Sequence, residues 1–180
     1  MPNYTAKNAL PYPLLTEPPD GPAAFQALAE RIEQVWAVPR PAAVLKAKDV
    51  QSIPANSNVQ IFYQTPLVNS GGMADLPNGR LVAPVAGIYT IVGQLAFQYV
   101  ASNGTYRRAN LKVGATDVNF HAVDAATANS LPTTVQCTWT GLCAAGDPIT
   151  LFAFQNHSAA IGTVIQPYYC SLAGWLVHAT

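Results

Sequence analysis

The chain has 180 residues, nine basic and nine acidic, so only 10% carry a charge while 50% are hydrophobic. That length suits one domain with a short appendage, and a net charge of +0 gives no electrostatic footprint for nucleic acid or an anionic membrane. Against a usual charged share of about 25%, a lone globule of this composition would leave apolar and small polar groups outside, and association with copies of itself is the expected remedy.

The first 22 residues carry six prolines, at 2, 11, 13, 18, 19 and 22. Such a stretch reads as an extended arm over 1–20 with no fold of its own, suited to attachment. No apolar run approaches the roughly 18 residues of a membrane span, and the start lacks the basic-then-apolar layout of a secretion signal. The expectation is a product made in a cytoplasm without a signal peptide and without membrane insertion.

Residues 21–36, GPAAFQALAERIEQVW, predict the one clear helix, within a neck of 21–38. Asp20 can cap it, Pro22 fits its first turn, and Pro39 and Pro41 end it. Phe25, Leu28, Ile32 and Val35 recur at spacings of three, four and three, which are a/d positions over two heptads. Two arrangements satisfy that stripe: a short coiled coil at the neck of an oligomer, or an amphipathic helix lying on its own domain. A helix this short is marginal alone, so a partner surface is expected to hold it.

From 42 to 180 the chain reads as β. Strands are predicted over 42–49, 58–65, 80–84, 87–100, 106–114, 117–123, 133–143, 148–156 and 168–178, a count that suits a sandwich or jelly roll. Asn103-Gly104 predicts a tight hairpin turn after the 87–100 strand. Along that strand Tyr89, Ile91, Leu95, Phe97 and Tyr99 share one face, which is taken as core. In 148–155 both faces are apolar, with Phe152 and Phe154 opposite Ile149, Leu151 and Ala153, so both need cover. A neighbouring subunit or an internal loop would supply it. Phe25, Leu28, Ile32, Val35, Phe152 and Phe154 are therefore the candidate oligomer contacts.

Little in the head points to catalysis. No glutamate follows Glu33, and of the aspartates at 49, 75, 117, 124 and 147, Asp147 falls in a turn where Asp has a plain structural use. His121, His157 and His178 never reach metal-ligand spacing, although Asp117 and His121 would share a face of a regular strand. There is no nucleophile elbow, phosphate loop or paired-cysteine motif, and no cofactor or metal is assigned. Cys137, Cys143 and Cys170 are read as buried thiols, since the first two stand about 20 Å apart if they share a strand. For ligand contact the candidates are Tyr106, Arg107, Arg108 and Tyr168, with Trp139 and Trp175 expected to be buried.

Three blocks carry a family likeness. Asn78-Gly79-Arg80-Leu81 through Pro84, Gly87 and Tyr89, then Leu142 with Gly146-Asp147-Pro148-Ile149-Thr150-Leu151, then Ser171-Leu172-Ala173-Gly174-Trp175-Leu176, resemble the globular head of the complement first component's q subunit. Leu81 stands where that family often has Phe or Tyr. The family shares its jelly roll with tumour necrosis factor. Over 42–180 the resemblance implies an antiparallel jelly roll, assembled as a homotrimer and built for binding. The proline-rich arm and short helix resemble minor tail or fibre proteins of bacteriophages.

Arm, trimerising neck and trimeric head together imply a non-enzymatic virion component. Its arm would dock on a tail or baseplate protein, and its head would adhere to a host cell-surface polymer, a saccharide, through loops 101–105, 124–132 and 156–168. The alternatives are a purely structural spike or decoration, and a bacterial surface trimer of the complement type.

Overall fold

The computed structural model describes residues 3–4, 11–12, 21–37, 40–101, 105–125, 131–165 and 169–180. The chain divides into two units, Met1–Pro39 and Arg40–Thr180. In the first, β1 (Asn3–Tyr4) pairs antiparallel with β2 (Pro11–Tyr12), so part of the predicted foldless arm is paired strand. Helix α1 spans Gly21–Ala37, one residue beyond the predicted 36. On it Phe25 is 74% and Ile32 37% exposed, and Leu28 is half-buried. The predicted cap Asp20 and the side chain of Val35 lie outside the described residues.

The second unit holds β3 (Ala42–Lys46), β4 (Ser52–Ile53), β5 (Val59–Gln60), β6 (Thr65–Ser70), β7 (Ala74–Asp75), β8 (Arg80–Val82) and β9 (Gly87–Phe97). It continues with β10 (Tyr106–Val113), β11 (Thr116–Asp124), β12 (Thr133–Cys143), β13 (Pro148–Gln155), β14 (Ile161–Gly162) and β15 (Ser171–Ala179). Two antiparallel sheets face each other, ordered β12-β9-β15-β3-β6 and β11-β10-β13-β8-β7, with β5 beside β13 in the second. This is a jelly roll, as expected. The predicted strand over 58–65 is instead two short pieces, β5 and the start of β6, and the last strand begins at Ser171 rather than 168.

Alternation places the core between the sheets. Tyr89, Ile91, Leu95 and Phe97 of β9 face Leu111 of β10 and Ile149, Leu151 and Ala153 of β13, all with 0% exposure. The Tyr89 hydroxyl donates to the Val85 carbonyl at 2.9 Å, which ties the turn before β9 to its own strand. Asp147 serves its turn as expected: its carboxylate accepts from the Ala144 amide at 2.8 Å. The turn of 102–104, with the predicted Asn-Gly, lies outside the described residues.

All three cysteines are free and buried. Burial first, then the nearby Asp147 charge, push the Cys143 thiol from the ordinary 9.0 up to about 11. Burial also raises Cys137, Cys170 and the phenol of Tyr63, which donates to the Gln94 carbonyl. An acid raised in the folded state keeps its proton while its unfolded counterpart, near 9, gives it up. The unfolded chain then binds fewer protons, and stability falls as pH rises from about 9 to 11. Melting followed by circular dichroism is expected to show Tm lower by roughly 5 °C at about pH 10.5 than at pH 8. Cys143→Ala is expected to flatten that slope whatever it does to the absolute Tm.

Candidate functional site

The two sheets turn very different faces outward. Lys46 is the single Lys, Arg, Asp or Glu in the five described strands β12, β9, β15, β3 and β6. Outward on these strands lie Val44, Val68, Ile88, Val92, Leu142 and Trp175, set among threonines and glutamines. Val68, Leu142 and Trp175 are 49%, 65% and 43% exposed. Thr90 and Thr140 bridge two of the strands through their hydroxyls at 3.0 Å. Trp175 was expected to be buried, but Leu172 and Gly174 take the inward positions of β15, and the pleat puts Trp175 outside with Ala173. Trp139 is half-buried and packs against the core.

The other sheet carries the charge. Across β11, β10 and β13 the register sets three outward rows: Ala122, Arg108, Phe154; Phe120, Asn110, Phe152; and Asp117, Lys112, Thr150. The Arg108 guanidinium lies 4.7 Å from the centre of the Phe154 ring, and the Lys112 ammonium 4.9 Å from that of Phe152. Tyr106 stacks on Phe154 at 5.6 Å. The second apolar face of β13 is thus covered by its own neighbours' cationic side chains, in contacts that the aromatic quadrupole favours.

Around these rows the polar groups interlock. Arg108 Nη2 donates to Asn58 Oδ1 at 2.9 Å. Asp117 Oδ1 accepts from Asn110 Nδ2 at 2.8 Å and lies 3.3 Å from Lys112 Nζ. Asn110 Oδ1 and Arg108 Nε are shielded from solvent and have no hydrogen-bond partner. A depression of about 510 Å³ opens here, between Asn58 and Arg108 on one side and Asp117 and Phe120 on the other.

Of the predicted contact residues, Tyr106 and Arg108 come together on this face. The pleat divides Arg107 from Arg108: Arg107 points inward, 1% exposed, its Nη1 donating to Thr105 Oγ1 and the Tyr106 carbonyl. Burial without a carboxylate holds its guanidinium below the usual range. Tyr168 lies outside the described residues. Asp117 and His121 do not share a face, because the register shifts by one residue around Val118, and His121 turns to the Gln136 carbonyl at 3.0 Å. Asn58, Asn110, Lys112 and Phe120 were not singled out in the sequence, and Asp117 was weighed there only among the aspartates and as a carboxylate beside His121. They come from β10, β11 and the residue before β5, and only the pairing of β10 with β11 and of β13 with β10 and β5 assembles them.

Among the described residues no three His, Cys, Asp or Glu side chains cluster as metal ligands, and no helix is long and apolar enough to cross a membrane. Asp75 is committed to Arg80 and Asn78 at 2.8 to 3.0 Å.

No protein-family model and no curated protein matches the sequence. Solved structures do match in fold. The globular domain of zebrafish complement 1qA protein aligns over 78% of this chain and 100% of its own, with TM-score 0.56 and 13% identity. An Eiger TNF from S. frugiperda aligns over 79% and 95%, with TM-score 0.57 and 12% identity. Murine APRIL at pH 5.0 aligns over 77% and 99%, with TM-score 0.59 and 13% identity. These likenesses establish a jelly roll of the complement-head and tumour necrosis factor type, in agreement with the resemblance carried by the three sequence blocks.

Proposed function

We propose that the chain is a binding protein that works as a homotrimer: a bacteriophage tail or fibre component whose head adheres to a saccharide polymer on the host surface. One observation carries the assembly. The outward side of the β12-β9-β15-β3-β6 sheet is apolar and nearly free of charge, while the opposite sheet holds Arg108, Lys112 and Asp117. A contiguous face of that kind is what self-association hides. Phe25 and Ile32, exposed on α1, supply a second seam, and Leu28 and Val35 complete its heptad positions. Phe152 and Phe154, already covered by Lys112 and Arg108, belong to the binding side under this reading rather than to the trimer seam.

Binding through three identical heads explains how shallow sites suffice, since linked weak contacts gain roughly a hundredfold or more in avidity. The proline-rich arm supports the tail assignment by its likeness to phage minor tail proteins. A bacterial surface trimer of the complement type rests on the same fold and the same face, and differs in what the arm docks onto.

Light scattering tests the assembly. The full chain and a version lacking residues 1–39 are both expected at three times their subunit mass, 19.1 kDa for the full chain. A monomeric truncation would shift trimerisation to the helix, and a monomeric full chain would end the reading. Fluorescent trimer applied to a panel of bacterial cells distinguishes an adhesin, which stains some of them, from a purely structural piece, which stains none.

A further inference from the structure

Among the residues that line this depression, Arg108 and Lys112 stand against the single carboxylate of Asp117, while Asp124, opposite Tyr106 on the same face, is not part of the lining. Lys112 is matched by Asp117 at 3.3 Å. Arg108 is bonded only to the neutral Asn58 amide, and among the described residues no carboxylate lies within ion-pair distance of it. Its position is nevertheless fixed, because it rests on the Phe154 ring, which itself stacks on Tyr106. A held guanidinium with unused donors is preorganised for one planar anion.

The rest of the depression is suited to hydroxyls. Asn110, 8% exposed, forms part of its floor, with Nδ2 committed to Asp117. The exposed amide of Asn58 offers hydrogen bonds. Phe120, 64% exposed, stands directly across the strand pair from Asn110 and presents an apolar ring surface at the rim. Its volume of about 510 Å³ falls within the roughly 300–1,000 Å³ of small-ligand sites. The depression lies on the sheet opposite the uncharged face, so burying that face leaves it open.

Resting on the adhesive reading above, we infer that this depression binds an acidic saccharide, with a uronate carboxylate on Arg108, ring hydroxyls on the exposed amide of Asn58, and the apolar face of the sugar on Phe120. The net single positive charge fits a monoanion. A planar amide and an aromatic platform around a fixed cation fit a sugar acid better than a peptide, which would need apolar pockets for its side chains.

The test uses full-length protein and trigalacturonic acid, read by calorimetry and ligand-observed NMR. The acid is expected to bind with a dissociation constant on the order of 1 mM per site, and its methyl ester, which keeps the skeleton and loses the charge, about tenfold or more weakly. Arg108→Gln is expected to weaken the acid by about tenfold or more and Phe120→Ala by about threefold to tenfold. Both side chains face outward, and an unchanged Tm and trimer mass check that the variants fold. If Arg108→Gln fails to fold, Phe120→Ala together with the ester carries the test. Equal affinity for acid and ester, undiminished binding by the folded variants, or binding of oligomeric glycerol phosphate in place of the uronide would each overturn the inference. Cell staining separates it from the parent reading: a protein that binds the uronide but no cells keeps the site and loses adhesion, while staining lost in Arg108→Gln joins the two.

Discussion

If the chain assembles as the proposed trimer, Val92→Asp is expected to convert it to monomers at about 10 µM while leaving the fold of each subunit intact. Val92 sits at the middle of the uncharged face, paired to Thr138 on one side and Ala173 on the other. In a free subunit it is half-buried on an outward surface, so a carboxylate there reaches water and costs no more than the roughly 1 kcal/mol range of strand preferences. In a trimer closed over that face the same carboxylate is desolvated, at an effective penalty of several kcal/mol per ion, and the symmetry repeats it three times. The cost to assembly therefore exceeds the cost to folding severalfold. Light scattering reads the mass and circular dichroism the fold. Lys112→Gln, on the other sheet, serves as the matched control and should leave the mass at three subunits. A Val92→Asp protein that stays trimeric would show that another surface holds the copies together.

That experiment rests on a feature already present in the composition. A 180-residue chain with nine acidic and nine basic residues has too little charge to spread evenly over its surface. What the composition could not say was where the deficit lies. The structure collects it on one sheet, because the strands that pair there, β3, β6, β9, β12 and β15, come from both ends and the middle of the chain. Parity along β9 was legible, since large apolar residues alternate with small or polar ones over 11 residues. Two-residue strands such as β4, β7 and β14 offer no period to read. The strand β6 was hidden by Pro66, which reads as a breaker yet is tolerated here because β6 is the edge of its sheet.

The charged face was partly legible. Arg107 and Arg108 were both taken as ligand contacts, although Ala109, Leu111 and Val113 share parity with Arg107 and carry the apolar side of β10. Applying the same alternation used on β9 would have sent Arg107 inward and left Arg108 outside. The shift around Val118 is different. It moves Asp117 onto the row of Lys112 while Phe120 keeps that of Asn110, and nothing in Thr116 to Asn119 announces it. A one-residue bulge exchanges the faces of everything beyond it, so the sequence paired Asp117 with His121 and missed its contact with Lys112.

Gly87→Ala is expected to destabilise the head, against the ordinary sign. Replacing glycine by alanine inside a strand usually helps by about 0.5–1 kcal/mol, because glycine loses more freedom on folding. Gly87 opens β9, paired with Cys143 of β12 and Ala179 of β15. An added Cβ would fall on the His178 carbonyl oxygen, 2.7 Å from Leu176 Cδ1 and 3.1 Å from the Ala179 Cα. The register of β15 shifts between Leu176 and His178, so the obstacle is the backbone of the bulge itself. A side chain could rotate aside, but this carbonyl belongs to the stretch of β15 paired with β9 beyond the end of β3, and withdrawing it means breaking ladder hydrogen bonds to β9. Overpacking costs of about 1–3 kcal/mol then outweigh the entropic gain, and a net loss of about 2 kcal/mol lowers Tm by roughly 4–8 °C for a domain of this size. Differential scanning calorimetry of the two proteins decides it. A Tm equal to or above that of the parent would mean that β15 slides freely past β9 at this end, and the close approach would then have no bearing on why glycine follows Pro84 by three residues.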